Sequence, residues 1–202
     1  GLSPVEYLCD LGVYDYGGGA FHCVHMSEHD LDLFQEKHLN IITNPASNLK
    51  LASGIAPIQS MLQRNINVCL GTDGAASNNC LDMFREMFLV TGLAKYKNCD
   101  ASAVDAYEVL KMATVNGAKA LNLNCGVLEA GKLADLIVLD LHQPNMQPMN
   151  NVAKNIVYSG SKSNVKCTMV NGEILYEDGH FHVGFDMESL YDEVQKRIKR
   201  LM

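Results

Sequence analysis

Three five-residue apolar runs, 20–24, 39–43 and 66–70, recur along the first 75 residues, with helical patterns before and between them. This alternation constrains the fold more than any other feature. Such runs are too short for core helices and read as buried strands. Strands alternating with amphipathic helices imply a parallel sheet covered by helices. Ser3-Pro4-Val5-Glu6 is a capping box with proline at the first helical position, and it opens a helix to about Leu11, stopped by Gly12. Ser27 caps a second helix, with Leu31, Phe34 and Leu39 at helical spacing. Asn44-Pro45-Ala46-Ser47-Asn48 is a dense cluster of loop formers. Pro57 stands near the start of a third helix, which carries Ile58, Met61 and Leu62 on one face.

Further helices are expected over 80–95, from a cap at Ser102-Ala103-Val104-Asp105 to about Met112, and over 116–121. The pattern changes near Asn124. Ala134–Leu139 reads as a strand. Asn171-Gly172 joins Cys167–Val170 to Glu173–Tyr176, a strong short-range hairpin signal. Asp178-Gly179 turns into Phe181–Phe185, which makes an antiparallel meander. Asp186–Met202 closes the chain as a helix, with Leu190, Val194, Ile198 and Leu201 on one stripe. Its Lys196, Arg197, Lys199 and Arg200 read as a solvated face.

Composition narrows the function. A net charge of −7 argues against a partner that is nucleic acid or an anionic membrane. No window approaches the roughly 18 apolar residues of a membrane span, and no signal-peptide pattern is visible. The seven cysteines form no C-x-x-C and read as reduced, mostly buried thiols of a cytoplasmic protein. With 202 residues, the chain is shorter than the roughly 250 of a complete eight-fold β/α barrel.

Active sites of parallel β/α barrels lie at the C-terminal strand ends. Here the three strands end in 20–25, 43–48 and 71–79, which brings His22, an amide-rich loop and Asp73 to one rim. His22 would supply an imidazole to hold a water or an oxyanion. Asp73 could ligate a cation with one oxygen and take a proton with the other. A lone Asp before Gly is also an ordinary turn residue, and a lone His at a strand end an ordinary hydrogen-bonded one. His180-Phe181-His182 has the H-x-H form of a metal pair but follows a turn in the antiparallel region and reads as surface or interdomain packing, while His22-x-x-His25 and His25-x-x-x-His29 do not match a tetrahedral zinc signature. Glu28, Glu36, Glu86 and Glu129 read as solvated.

Residues 44–54 (N-P-A-S-N-L-K-L-A-S-G), 70–79 (L-G-T-D-G-A-A-S-N-N) and the run Gly131-Lys132-Leu133-Ala134-Asp135-Leu136-Ile137-Val138-Leu139-Asp140 resemble the amidohydrolase superfamily. Within it, the chain resembles the 5′-methylthioadenosine/S-adenosylhomocysteine deaminases. Guanine deaminases and triazine chlorohydrolases share similar patterns.

The resemblance implies an α/β fold: the C-terminal part of a metal-dependent hydrolase (β/α)8 TIM barrel, plus the C-terminal strands of a composite β-sandwich. Residues 1–124 would hold barrel strands six to eight, 125–185 the sandwich portion and 186–202 a terminal helix. Asp73 would be the strand-eight metal ligand and proton shuttle, and His22 the strand-six residue that polarises water. Asn48 and Ser77 would contact substrate. The family often has His where Thr43 stands.

One divalent metal ion, zinc or iron, is implied for the intact enzyme. Its other ligands and the acid/base would lie upstream of Gly1, so this portion would hold metal weakly and be inactive alone. The substrate would be a purine nucleoside deaminated with release of ammonia, by a homo-oligomer. Two alternatives stay open: another amidohydrolase (guanine deaminase or triazine chlorohydrolase), and a non-catalytic association module.

Overall fold

The computed structural model describes residues 1–201. The predicted alternation is present. Helix α1 (Pro4–Asp10) opens on the Ser3 capping box, and α2 (Glu28–Glu36) opens on a second box at Ser27. Between and after them run strands β1 (Gly19–Phe21) and β2 (Asn40–Thr43). Helices α3 (Pro45–Lys50) and α4 (Ile58–Gln63) lead to β3 (Asn67–Leu70). The three strands form one parallel sheet in the order β1-β2-β3, with Phe21 beside Ile42 and Ile42 beside Cys69. That register puts residues 22, 44 and 71 at one end of the sheet.

Short α5 (Ala75–Asn78) is followed by α6 (Met83–Asn98), α7 (Ala106–Ala113) and α8 (Val115–Ala120). The second sheet is antiparallel, β4 (Leu136–Leu139), β5 (Val165–Val170), β6 (Glu173–Glu177) and β7 (His180–Phe181), paired in chain order. Helix α9 (Val152–Ser159) lies between β4 and β5, and α10 (Met187–Leu201) ends the described chain. No helix is long and apolar enough to cross a membrane.

Leu31 and Phe34 of α2, Ile41 of β2, Met61 of α4, Val68 of β3, Val90 of α6, and Val109 and Met112 of α7 are buried in one core. Helix α9 packs on α6 and α7 and adds Ala153 and Val157 to it. The apolar stripe of α10 is exposed instead, and the helix buries no residue.

Several sequence expectations are corrected. The first strand stops at Phe21, because His22 and Cys23 adopt left-handed backbone (φ 65° and 47°). Residues 45–50 form a helix rather than a loop, since Pro45 suits a first helical turn as well as a bend. Asp105, not Ser102, caps α7, accepting hydrogen bonds from the Tyr107 and Glu108 amides. The final strand is only His180–Phe181. The hairpin turn at Asn171-Gly172 is as expected, with φ of 50° and 81°.

All seven cysteines are free. Burial pushes the Cys23 thiol up to about 12, which keeps it uncharged and inert.

The two capping boxes lock together through Asp30, which is 3% exposed. Its carboxylate accepts from Ser3 Oγ (2.5 Å), Ser27 Oγ (2.8 Å) and Ser27 N (2.9 Å). Burial raises its pKa, but these hydrogen bonds outweigh burial and hold it below 3.8. A depressed folded pKa gives stability that is present above the unfolded value and lost as pH falls through the folded one. Asp30→Asn leaves one oxygen for three donors and should cost about 1–3 kcal/mol in urea unfolding at neutral pH. The difference should shrink as pH falls through and below the ordinary carboxylate range; a gap that does not change with pH would contradict this.

Candidate active site

The parallel sheet ends in two left-handed residues, His22 (φ 65°) and Asp73 (φ 61°). Such backbone costs energy in residues other than glycine, and it clusters where side chains must be aimed. The His22 amide donates to Ile42 O (2.8 Å), and the Gly71 amide to Thr43 O (3.0 Å). Sheet bonding therefore continues up to the points where the backbone turns. A Cβ on Gly71, just past β3, would lie 2.5 Å from Asn44 Oδ1, so any other residue there would have to displace the Asn44 side chain.

His22 and Asp73 face each other, with Nε2 and Oδ2 3.8 Å apart. Their side chains are 41% and 30% exposed, so solvent reaches both. Behind His22, Nδ1 lies 2.7 Å from Asn48 Oδ1, an acceptor only. With the Asn48 oxygen accepting, that contact suits an N–H on Nδ1 and turns Nε2 toward Asp73. Asn44 Nδ2, 3.5 Å from the same Nδ1, is too distant to compete.

Asp73 is held on both oxygens. Ser47 Oγ donates to Oδ2 (2.6 Å), and the Gly74 amide donates to Oδ1 (2.7 Å). These bonds, the Ser47 hydroxyl first, hold its carboxyl down to about 2. The group is a carboxylate throughout the ordinary pH range.

The remaining candidates fall at the same rim. Asn48 is 3% exposed and sits behind the imidazole. Ser77 Oγ donates to Gly74 O (3.1 Å), on the segment that carries Asp73. Thr43 is buried. His25 is exposed, beyond the strand end.

Two supporting residues escaped the sequence reading. Ser47, hidden in a cluster taken for a loop, binds Asp73 from α3. Glu86, expected at the surface, is completely buried (0% exposed). Its helical spacing with Met83 and Val90, on an apolar face, was the available signal.

His22 and Asp73 bring one imidazole and one carboxylate, whereas a structural or catalytic zinc takes three or four protein donors. Among the described residues, no group of three or more His, Cys, Asp or Glu side chains could hold a metal ion. The residues of this chain alone do not fit a complete metal site.

A family model described as the amidohydrolase family matches residues 3–175. The chain belongs to the amidohydrolase family. This amidohydrolase chain is 44% identical over 204 residues to a protein named 5-methylthioadenosine/S-adenosylhomocysteine deaminase from Caldanaerobacter subterraneus subsp. tengcongensis, covering 100% of the chain and 47% of the relative. It is 44% identical over 202 residues to a 5'-deoxyadenosine deaminase from Methanosarcina mazei, covering 100% and 46%. Among solved structures, an adenosine deaminase from Xanthomonas campestris with bound zinc matches with a TM-score of 0.92 at 33% identity, covering 98% of this chain and 45% of that one. The amidohydrolase chain spans about half the length of the curated relatives it matches.

Proposed function

We propose that this chain is the C-terminal half of a metal-dependent deaminase acting on adenosine-type nucleosides, with 5′-methylthioadenosine and S-adenosylhomocysteine as the favoured substrates. Residues 1–124 would be barrel strands six to eight with their helices, 125–185 a sandwich portion and 186–202 a terminal helix. The observation that carries the reading is the pair His22 and Asp73, face to face at the C-terminal end of a parallel sheet. The names of the relatives support the substrate class.

In the reaction, water adds at C6 of the adenine ring, the C6–N bond breaks and ammonia leaves. Asp73, held ionised by Ser47 and Gly74, takes the proton of the attacking water. His22, fixed at Nδ1 by Asn48, presents Nε2 to the same water and orients it. Nε2 takes the water's second proton and then donates that N–H to the oxygen on which negative charge develops, while Asp73 passes its proton to the departing amino group, which leaves as ammonia. Asn48 acts from behind the imidazole, and Ser77 would face the substrate from the Asp73 segment.

Asp73 would also be one ligand of a divalent ion, zinc or iron. Such an ion makes water nucleophilic near neutral pH. The other ligands, and the acid that protonates the ring, would come from the half of the longer relatives that this chain does not cover.

The purified 202-residue chain is therefore expected to bind zinc weakly in calorimetry and to release no ammonia from 5′-methylthioadenosine. Robust turnover by this chain alone would contradict the proposed division of the active site.

A further inference from the structure

Helix α3 and the segment 72–79 carry the groups that hold both site residues. Ser47 and Asn48 belong to α3, while Asp73 and Ser77 belong to the segment. No strand pairing joins the two. They are tied in three places. One is Ser47 to Asp73. Another is at the surface, where Lys50 Nζ donates to Ala76 O (2.8 Å) and to Asn79 Oδ1. The third is inside the protein, through Glu86 of α6.

Glu86 Oε2 accepts from the Ala46 amide of α3 (3.0 Å), and Oε1 accepts from Asn78 Nδ2 (2.7 Å). Asn78 Nδ2 also donates to Thr72 O (2.6 Å), next to Asp73 in sequence. Asn78 is itself 3% exposed. Among the described residues, no cation pairs with Glu86. A wholly buried carboxyl without a counter-ion is costly, and burial pushes it toward the neutral form while its two hydrogen bonds pull the other way. The core could hold an apolar side chain there. What an apolar side chain could not do is accept from two segments at once.

We propose that Glu86 is a positioning residue: its two oxygens hold α3 and the 72–79 segment in one relative placement, and so keep Asn48 on His22 and Ser47 on Asp73. The proposal rests on the deaminase reading for its catalytic consequence, and on the hydrogen-bond geometry alone for the positioning.

Glutamine has the same size but only one acceptor oxygen. In Glu86→Gln, either the Ala46 amide or Asn78 Nδ2 faces another donor. The chain should fold, with two changes visible by NMR in the 202-residue protein. The Ala46 amide should exchange about tenfold faster or more. The His22 ring should lose its Nδ1 hydrogen bond to Asn48, read from its nitrogen shifts.

In the full-length enzyme, kcat should fall about tenfold or more while KM moves less than about twofold, because misplacement of catalytic groups acts on the transition state. Arg85→Gln, on the exposed side of the same helix, should leave all these readouts unchanged. Wild-type ring and amide signals in folded Glu86→Gln would overturn the proposal, as would an unchanged kcat. If Glu86→Gln does not fold, Asn78→Ala removes the arm to segment 72–79 together with the bond to Thr72 O, leaves the Ala46 arm in place, and is read by the His22 ring signals and kcat with the same expected changes. If the unsubstituted enzyme deaminates no adenine nucleoside, the functional reading fails, and the ring and amide signals still decide the role of Glu86.

Discussion

Asp73→Asn in the full-length protein is expected to lower kcat/KM for the proposed deamination by about 10⁴-fold, the upper end of what one positioned proton acceptor contributes. The substitution keeps size and shape. It removes the negative charge and turns one acceptor oxygen into a donor that faces the Ser47 hydroxyl or the Gly74 amide, both of which donate to Asp73 in this structure. The carboxylate sits at about 2, so acid should not mimic the substitution until well below neutral pH. Bound metal should fall together with activity, read by elemental analysis after dialysis. Loss of activity with metal fully retained would restrict Asp73 to the proton step. Retention of activity would remove it from the site.

His22→Ala is expected to give the second largest loss, about 10²–10³-fold in kcat, the range seen when one donor to a developing oxyanion is removed. Here metal content should stay near wild type, since the role assigned to Nε2 is toward water and substrate oxygen. The contrast between the two variants is the informative part. Equal metal loss in both would mean that His22 is a ligand and would change its assigned role. Near-normal turnover in His22→Ala would reduce the pair to a hydrogen-bonded strand end. Neither substitution touches the main core, so the thermal midpoint serves as a control for each.

The elements set by local chemistry were legible in the sequence. Ser3 and Ser27 each have an acidic residue three positions on, and both cap as expected. Asn171-Gly172 turns the hairpin because both positions need left-handed backbone. The parallel order of the first three strands followed from helical segments between short apolar runs. His22 and Asp73 stand out in the sequence because strand ends collect chemistry in such folds, and the structure sets them 3.8 Å apart.

What escaped depends on contacts between distant segments. Asn44-Pro45 reads equally as a turn or as a helix start, and packing of α3 against α6 decides it. Helix α9 was missed because its eight residues follow a loop-rich stretch, and the surface of α6 and α7 selects it. Glu86 looks like a surface residue until the Ala46 amide, forty positions earlier, supplies its partner. The left-handed backbone at His22 leaves no mark in composition or period.

The most direct test of the account is product identification with the full-length protein and 5′-methylthioadenosine, guanine and a chlorotriazine supplied in parallel. The expected result is one ammonia released for each adenine ring converted to its 6-oxo form, abolished by Asp73→Asn. Turnover confined to guanine or the chlorotriazine, or adenine deamination that survives Asp73→Asn, would contradict it.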